Sequence, residues 1–165
     1  MRRPLQLSIA FAVVMVLAQC APATSPSASA PASAQTTSTA PATGTSGDAL
    51  LNSYRAQNGR AALRPNAALT RAAEVHARDM GTNNFMSHTG SDGSKMRERA
   101  RRQGYSACHI AENVALGQGS SGEVMNQWMN SPPHRKNILN GKVKDYGMAR
   151  GPGNAWVLLL AQPGC

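Results

Sequence analysis

Aromatic side chains are scarce in this chain of 165 residues: two phenylalanines, two tryptophans and three tyrosines make up 4% of it. Nothing interleaves them with basic residues as a base-stacking platform would require, and no helix-turn-helix pattern is present, which argues against a nucleic-acid partner. Carboxylates are also few, eight against 17 Lys and Arg. The three cysteines form no Cys-x-x-Cys pair, no His-Glu-x-x-His helix occurs, and no serine sits in a nucleophile elbow. The short signatures of zinc peptidases and serine hydrolases are therefore missing. Long apolar runs are missing too: the one near the start, Leu7 to Ala18, is too short for a permanent membrane span.

That run has another meaning. Arg2 and Arg3 precede it, and together they form the charged and apolar regions of a secretory signal over residues 1–20. Its end, Leu17-Ala18-Gln19-Cys20, resembles a bacterial lipoprotein processing box, with Gln19 where a smaller residue is usual. Two readings stand: lipidation of Cys20 with tethering to a membrane, or an ordinary secretory signal. Both place the product outside the cytoplasm. Residues 21–47 hold only Ala, Pro, Ser, Thr, Gln and Gly. With no charge and no large apolar group, they cannot offset the entropy of ordering and read as a linker.

One domain remains, residues 48–165, a normal size for a single core. Two basic residues lie in the leader, leaving 15 against the eight acids, so this part carries about +7. A surplus of this sign favours anionic partners such as envelope polymers or lipid headgroups. With Cys20 lipidated, Cys108 and Cys165 remain as a pair that an oxidising compartment lets bond. Closing so long a loop is worth roughly 4 kcal/mol on chain entropy.

The apolar periodicity predicts helices first and a hairpin last. Asp48 to Asn58 reads as a helix with Leu50, Leu51 and Tyr54 inward, stopped by Gly59. Ala67 to Met80 reads as a second, with Leu69, Ala73, His76 and Met80 on one face and Gly81 as its end. His76 on that face reads as a packed, hydrogen-bonded histidine. A loop over 83–93 leads to a helix over 94–103, whose Arg97, Arg99, Arg101 and Arg102 read as a solvated face. Residues 108–116 read as irregular to extended. Ser120 with Glu123 makes a capping box for a helix to about Asn130, with Val124, Met125 and Trp128 inward. Ser131-Pro132-Pro133 opens a short helix that puts His134 near its start and Ile138 inward. Asp145 to Arg150 and Ala155 to Ala161 read as strands around a Gly-Pro-Gly-Asn turn. The apolar run "AWVLLLA" marks the second as a central strand covered on both faces. The expected fold is α+β: a three-layer α-β-α sandwich around a small antiparallel sheet.

Polar residues in the same half form a candidate constellation: His88, Glu112, Glu123 and His134. Two imidazoles and two carboxylates suit a divalent metal such as zinc, or a proton-sharing site. Their spacing selects neither, and a network tying loops to helices would use the same residue types.

The segments "NFMSHTGSDGS", "GYSACHIAENVALGQGS", "EVMNQWMNSPPHRKNILN" and "DYGMAR" occur in that order. Together they resemble the bacterial branch of the CAP superfamily, the cysteine-rich secretory, antigen 5 and pathogenesis-related proteins, over about Ala49 to Ala161. The resemblance implies the α-β-α sandwich and a cleft of two histidines and two glutamates. By motif these are His88 of the Ser-His segment, Glu112 of the Glu-Asn segment, His134 before Arg-x-Asn-Ile-Leu, and Glu123 ahead of the tryptophan. In some members the cleft binds a divalent metal, often zinc, which here would order the 83–93 loop. Two departures stand out: Pro133 where relatives have glycine before the histidine, and Leu158 where a glutamine is frequent. Members of the superfamily are linked to sterol or lipid binding, protein interaction, channel effects and, in a few cases, proteolysis. Three functions remain open: a non-enzymatic, envelope-anchored binding module for a lipid, sterol-like or anionic ligand; a hydrolase using metal-activated water with a glutamate base; and a structural or protein-interaction role.

Overall fold

The computed structural model describes residues 47–164. The leader over 1–20, Cys20, the linker up to residue 46, and Cys165 lie outside the described residues. Five helices and four strands follow one another: α1 (Gly47–Gln57), β1 (Arg64–Pro65), α2 (Ala67–Asn83), α3 (Met96–Arg102), β2 (Ala107–Leu116), α4 (Ser121–Asn130), α5 (Pro132–Ile138), β3 (Asp145–Gly151) and β4 (Ala155–Pro163). A 3-10 turn, Pro152–Asn154, joins the last two strands.

The strands form one sheet in the order β1-β3-β4-β2. β4 runs antiparallel to β2 on one side and to β3 on the other, which makes it central. The sheet is mixed rather than purely antiparallel, because two-residue β1 pairs parallel with β3 through Arg64 and Pro65. That pairing needs α1 and the turn after it to lie beside β3, which no local pattern announces.

Side-chain alternation along β4 divides the core in two. Trp156, Leu158 and Leu160 pack with Leu51, Val124, Met125, Trp128 and Ile138, under α1, α4 and α5. Val157, Leu159 and Ala161 pack with Leu69, Ala73, Ala77, Met80 and Ala100, under α2 and α3. This is the three-layer sandwich, and it is why β4 is apolar at every position from 155 to 161. Leu158, which stands where relatives often carry glutamine, is fully buried in the first of these clusters.

The second helix seats itself against bare backbone. An ideal Cβ on Gly147 of β3 would lie 2.2 Å from the Thr70 nitrogen, so only glycine lets α2 come this close. Gly81 works similarly. It does not end α2; the helix continues to Asn83 and is closed by Asn84 at φ 51. A Cβ on Gly81 would meet the Pro152 carbonyl at 2.0 Å, so the glycine serves close packing against the hairpin turn. At the other end, Asn66 accepts from the Ala68 and Leu69 amides, an N-cap that fixes where α2 starts. The segment read as irregular to extended is a ten-residue strand, β2, because it pairs with β4 along its length.

Cys108 is disulfide-bonded. Its Sγ lies against the carbonyl of Gly164, the residue before Cys165.

Candidate functional site

β2 is an edge strand, and its two adjacent polar residues face opposite layers. Glu112 stands across from Leu159 and Asn113 across from Leu158, so Glu112 points toward α2 and α3 while Asn113 points toward α4 and α5. Each recruits one of the histidines singled out by the sequence.

On the first face, Glu112 is enclosed between two cations-in-waiting. Its Oε1 accepts from His88 Nδ1 at 2.8 Å, and its Oε2 accepts from Arg99 Nη2 at 2.6 Å. The Glu112 side chain is 0% exposed and that of Arg99 2%, whereas His88 remains 52% exposed. Arg99 thus leaves the solvated face expected for the arginines of α3. Met96 and Ala100 set the inward face of that helix, and Arg99 lies three residues after Met96 on the same side. Its neighbours do stay outside: Arg102 pairs with Asp92 and Glu98 at the surface.

The loop carrying His88 is held by the chain's own bonds. His76 Nε2 donates to the Ser87 carbonyl at 2.7 Å, and Arg99 donates to the carbonyls of His88 (3.2 Å) and Ser94 (2.7 Å). Ser91 donates its amide and hydroxyl to Asp79 at 2.8 and 2.6 Å. These bonds tie the loop to α2 and α3. His76 is the packed histidine anticipated for it: fully buried, with its proton on Nε2 and no partner for Nδ1. Burial holds its pKa below the ordinary imidazole value.

On the second face, Asn113 Nδ2 donates to the His134 carbonyl at 3.1 Å and its Oδ1 accepts from Asn137 Nδ2 at 2.9 Å. These bonds tie the first two turns of α5 to the sheet. His134 Nδ1 sits 2.9 Å from Ser131 Oγ, across the double-proline corner. Pro133 lies within the first turn of α5, where a proline φ fits and a missing N–H costs nothing. Burial pushes the His134 pKa down, and the charge of His88 adds to this. The His88 pKa is raised, first by its hydrogen bond to Glu112.

A groove of about 480 Å³ runs along this edge, with His88, Glu112, Pro133, Lys136 and Asn137 in its wall. His134 opens instead onto an adjoining apolar hollow of about 210 Å³ with Met86, Leu116 and Trp128. Glu123 borders neither. It is exposed at the start of α4, where its Oε2 accepts from the Gly119 amide at 2.8 Å while Ser120 Oγ accepts from the Glu123 amide at 3.2 Å. The structure thus brings His88 and Glu112 together, sets His134 across the strand, and engages Glu123 in the helix cap. Among the described residues no three His, Cys, Asp or Glu side chains converge as a metal-holding group. Three groups at the site were not singled out from sequence: Arg99, Asn113 and Asn137. The inward phase of α3 was the available signal for Arg99, and for Asn113 and Asn137 it was their place in the Glu-Asn and Arg-x-Asn-Ile-Leu segments.

Known proteins share this architecture. Residues 49–159 match the cysteine-rich secretory protein family. The Bacillus subtilis protein YkwD is 32% identical over 99 residues, which is 60% of this chain and 38% of YkwD. An extracellular protein of Bacillus anthracis containing an SCP domain superposes with a TM-score of 0.67 at 23% identity, over 70% of this chain and 39% of that one. An outer surface protein of Borrelia burgdorferi gives 0.63 at 23%, over 73% of this chain and 96% of its own. The two solved structures support the fold. The chain spans well under half of YkwD and of the anthracis protein.

Proposed function

The chain belongs to the cysteine-rich secretory protein family, and from that premise we propose that it is an extracytoplasmic, non-enzymatic binding module, tethered to a membrane through a lipid on Cys20. Its ligand site is the groove along the β2 edge at His88 together with the hollow at His134. An address outside the cytoplasm agrees with the leader over residues 1–20 and with the extracellular and outer-surface relatives.

One observation carries the reading. Both histidines are held through Nδ1, His88 by Glu112 and His134 by Ser131, and neither Nε2 has a hydrogen-bond partner among the described residues. A carboxylate behind Nδ1 orients an imidazole and raises its basicity at Nε2, the arrangement found behind metal-bound histidines. The donor set suits a divalent cation such as zinc held by the two Nε2 atoms, with open positions for oxygens of an anionic envelope ligand. It does not suit a closed four-ligand site, since Glu123 is spent on the α4 cap and Glu112 on Arg99 and His88. The same occupancy argues against Glu112 as a general base: both of its oxygens already accept strong hydrogen bonds, one from a buried guanidinium.

Calorimetric titration of zinc into the full-length chain at neutral pH tests this. Saturable binding near one ion per chain, lost in His88→Ala and in His134→Ala, is expected. Affinity should fall on acidification, starting above the ordinary histidine value of about 6.5 because the His88 pKa is raised. No binding to the folded wild-type protein, or binding that survives both substitutions, refutes it.

A further inference from the structure

Beyond the β2-edge groove, a second concavity of about 490 Å³ opens between the turn after α1 and the turn after α5. Arg60, Lys136 and Lys142 stand in its wall with His109 and Asn140, and no carboxylate does. All three cations are exposed, and among the described residues none is in an ion pair. Exposed lysines on a convex face are routinely unpaired. Here, however, the cations surround a depression whose floor is rigid.

That rigidity comes from Arg55. Arg55 is 1% exposed and among the described residues has no carboxylate partner; its guanidinium donates to the carbonyls of Ala61 (2.8 Å), Ile138 (2.5 Å) and Asn140 (3.1 Å). One buried cation thereby binds both turns that form the rim and leaves its positive charge uncompensated beneath them. Asn140 is fixed as well. Its Oδ1 accepts from the Lys142 amide at 2.9 Å, so its amide nitrogen must face His109 Nε2, 2.8 Å away, and donate to it.

We propose that this concavity binds a phosphoryl group, a phosphate ester or pyrophosphate, between Arg60, Lys136 and Lys142. Three cations with none of their charge cancelled locally select a multiply charged anion over a single carboxylate, and the planar guanidinium of Arg60 suits phosphate oxygens. The site adjoins the His88 groove: Lys136, His109 and Asn140 face both hollows, while Arg60 and Lys142 border this one and not the other. A phosphorylated ligand seated here therefore has its remainder directed along the β2 edge.

The test is calorimetry of the full-length chain with inorganic pyrophosphate in chelator-treated buffer, at low and at physiological ionic strength. One site per chain is expected, weaker in salt, and weakened roughly tenfold or more by R60Q/K142Q, which removes charge-assisted hydrogen bonds. R71Q/R78Q, which deletes as much charge from exposed positions on α2, should leave it nearly intact, and so should His88→Ala. Pelleting with phosphatidylglycerol vesicles separates the sources: pyrophosphate-competed pelleting that R60Q/K142Q weakens assigns a lipid headgroup, whereas pelleting unaffected by both assigns a soluble phosphate ester. Absence of saturable pyrophosphate binding, or equal loss in R71Q/R78Q, overturns the proposal.

Discussion

Replacing Glu112 by glutamine should be among the most damaging single changes in the domain, although it removes one charge and almost no volume. The pair it breaks is out of water on both sides, with Glu112 0% and Arg99 2% exposed at the side chain. Removing one member of such a pair strands the other's charge, a cost of about 3–5 kcal/mol. For a domain of this size each kcal/mol moves the melting temperature by about 4 °C, so a fall of about 12–20 °C is expected by circular dichroism. His88→Gln breaks the hydrogen bond on the other carboxylate oxygen, but that ring is half in solvent, and its loss should cost about 1 kcal/mol or less. The double variant Arg99→Met/Glu112→Leu removes both buried charges and should recover much of the stability lost in Glu112→Gln. There is also a pH signature. Because the folded-state pKa of His88 is raised by Glu112, its contribution is fully present below the unfolded value of about 6.5 and is lost as pH rises through the raised value. Glu112→Gln should abolish that slope. A drop of under about 1 kcal/mol in Glu112→Gln, or a double variant no better than the sum of its parts, would refute the account of a desolvated pair.

Other expectations follow from the packing. Gly147→Ala should cost about 3 kcal/mol, since the new Cβ falls 2.2 Å from the Thr70 nitrogen, while Gly119→Ala, whose Cβ meets only the Glu123 carboxylate at 3.5 Å, should be near neutral in the same melts. His76 has the opposite linkage sign to His88: its folded pKa is lowered by burial, so the unfolded chain takes up the proton first and stability falls as pH drops below about 6.5. His76→Asn should flatten that acid slope while lowering the melting temperature at pH 8. Cys165→Ser tests the proposed Cys108–Cys165 bond; a loss of roughly 4 kcal/mol matched by reductant on the wild type is expected, and no further effect of reductant on the variant. A Cys165→Ser variant still destabilised by reductant would place the partner of Cys108 elsewhere, and a reductant-insensitive wild type would refute a stabilising bond.

Some of this protein was settled along the chain itself. An unbroken apolar run at 155–161 can be satisfied only by a strand covered on both faces, and the two core clusters alternate along it as the backbone requires. The inward faces of α1, α2 and α4, the Ser120–Glu123 cap and the position of Ile138 follow from spacings of three and four residues, since helix geometry ties those positions together locally. The motif order made the family legible as well. What the spacing could not reach was partnership between distant polar groups. Arg99 looked like one more member of a basic face until β2 brought Glu112 against it. Glu112 and Asn113 are neighbours in sequence yet serve opposite layers, and Glu123, of the same residue type, stays at a helix end. The basic concavity assembles Arg60 and Lys142 from two turns and Lys136 from α5, parts of the chain that the buried Arg55 binds together. Periodicity reports which side of an element is apolar because the backbone repeats on that scale. It carries no information about which charge a fold will bring alongside another, because that is decided by contacts many residues apart.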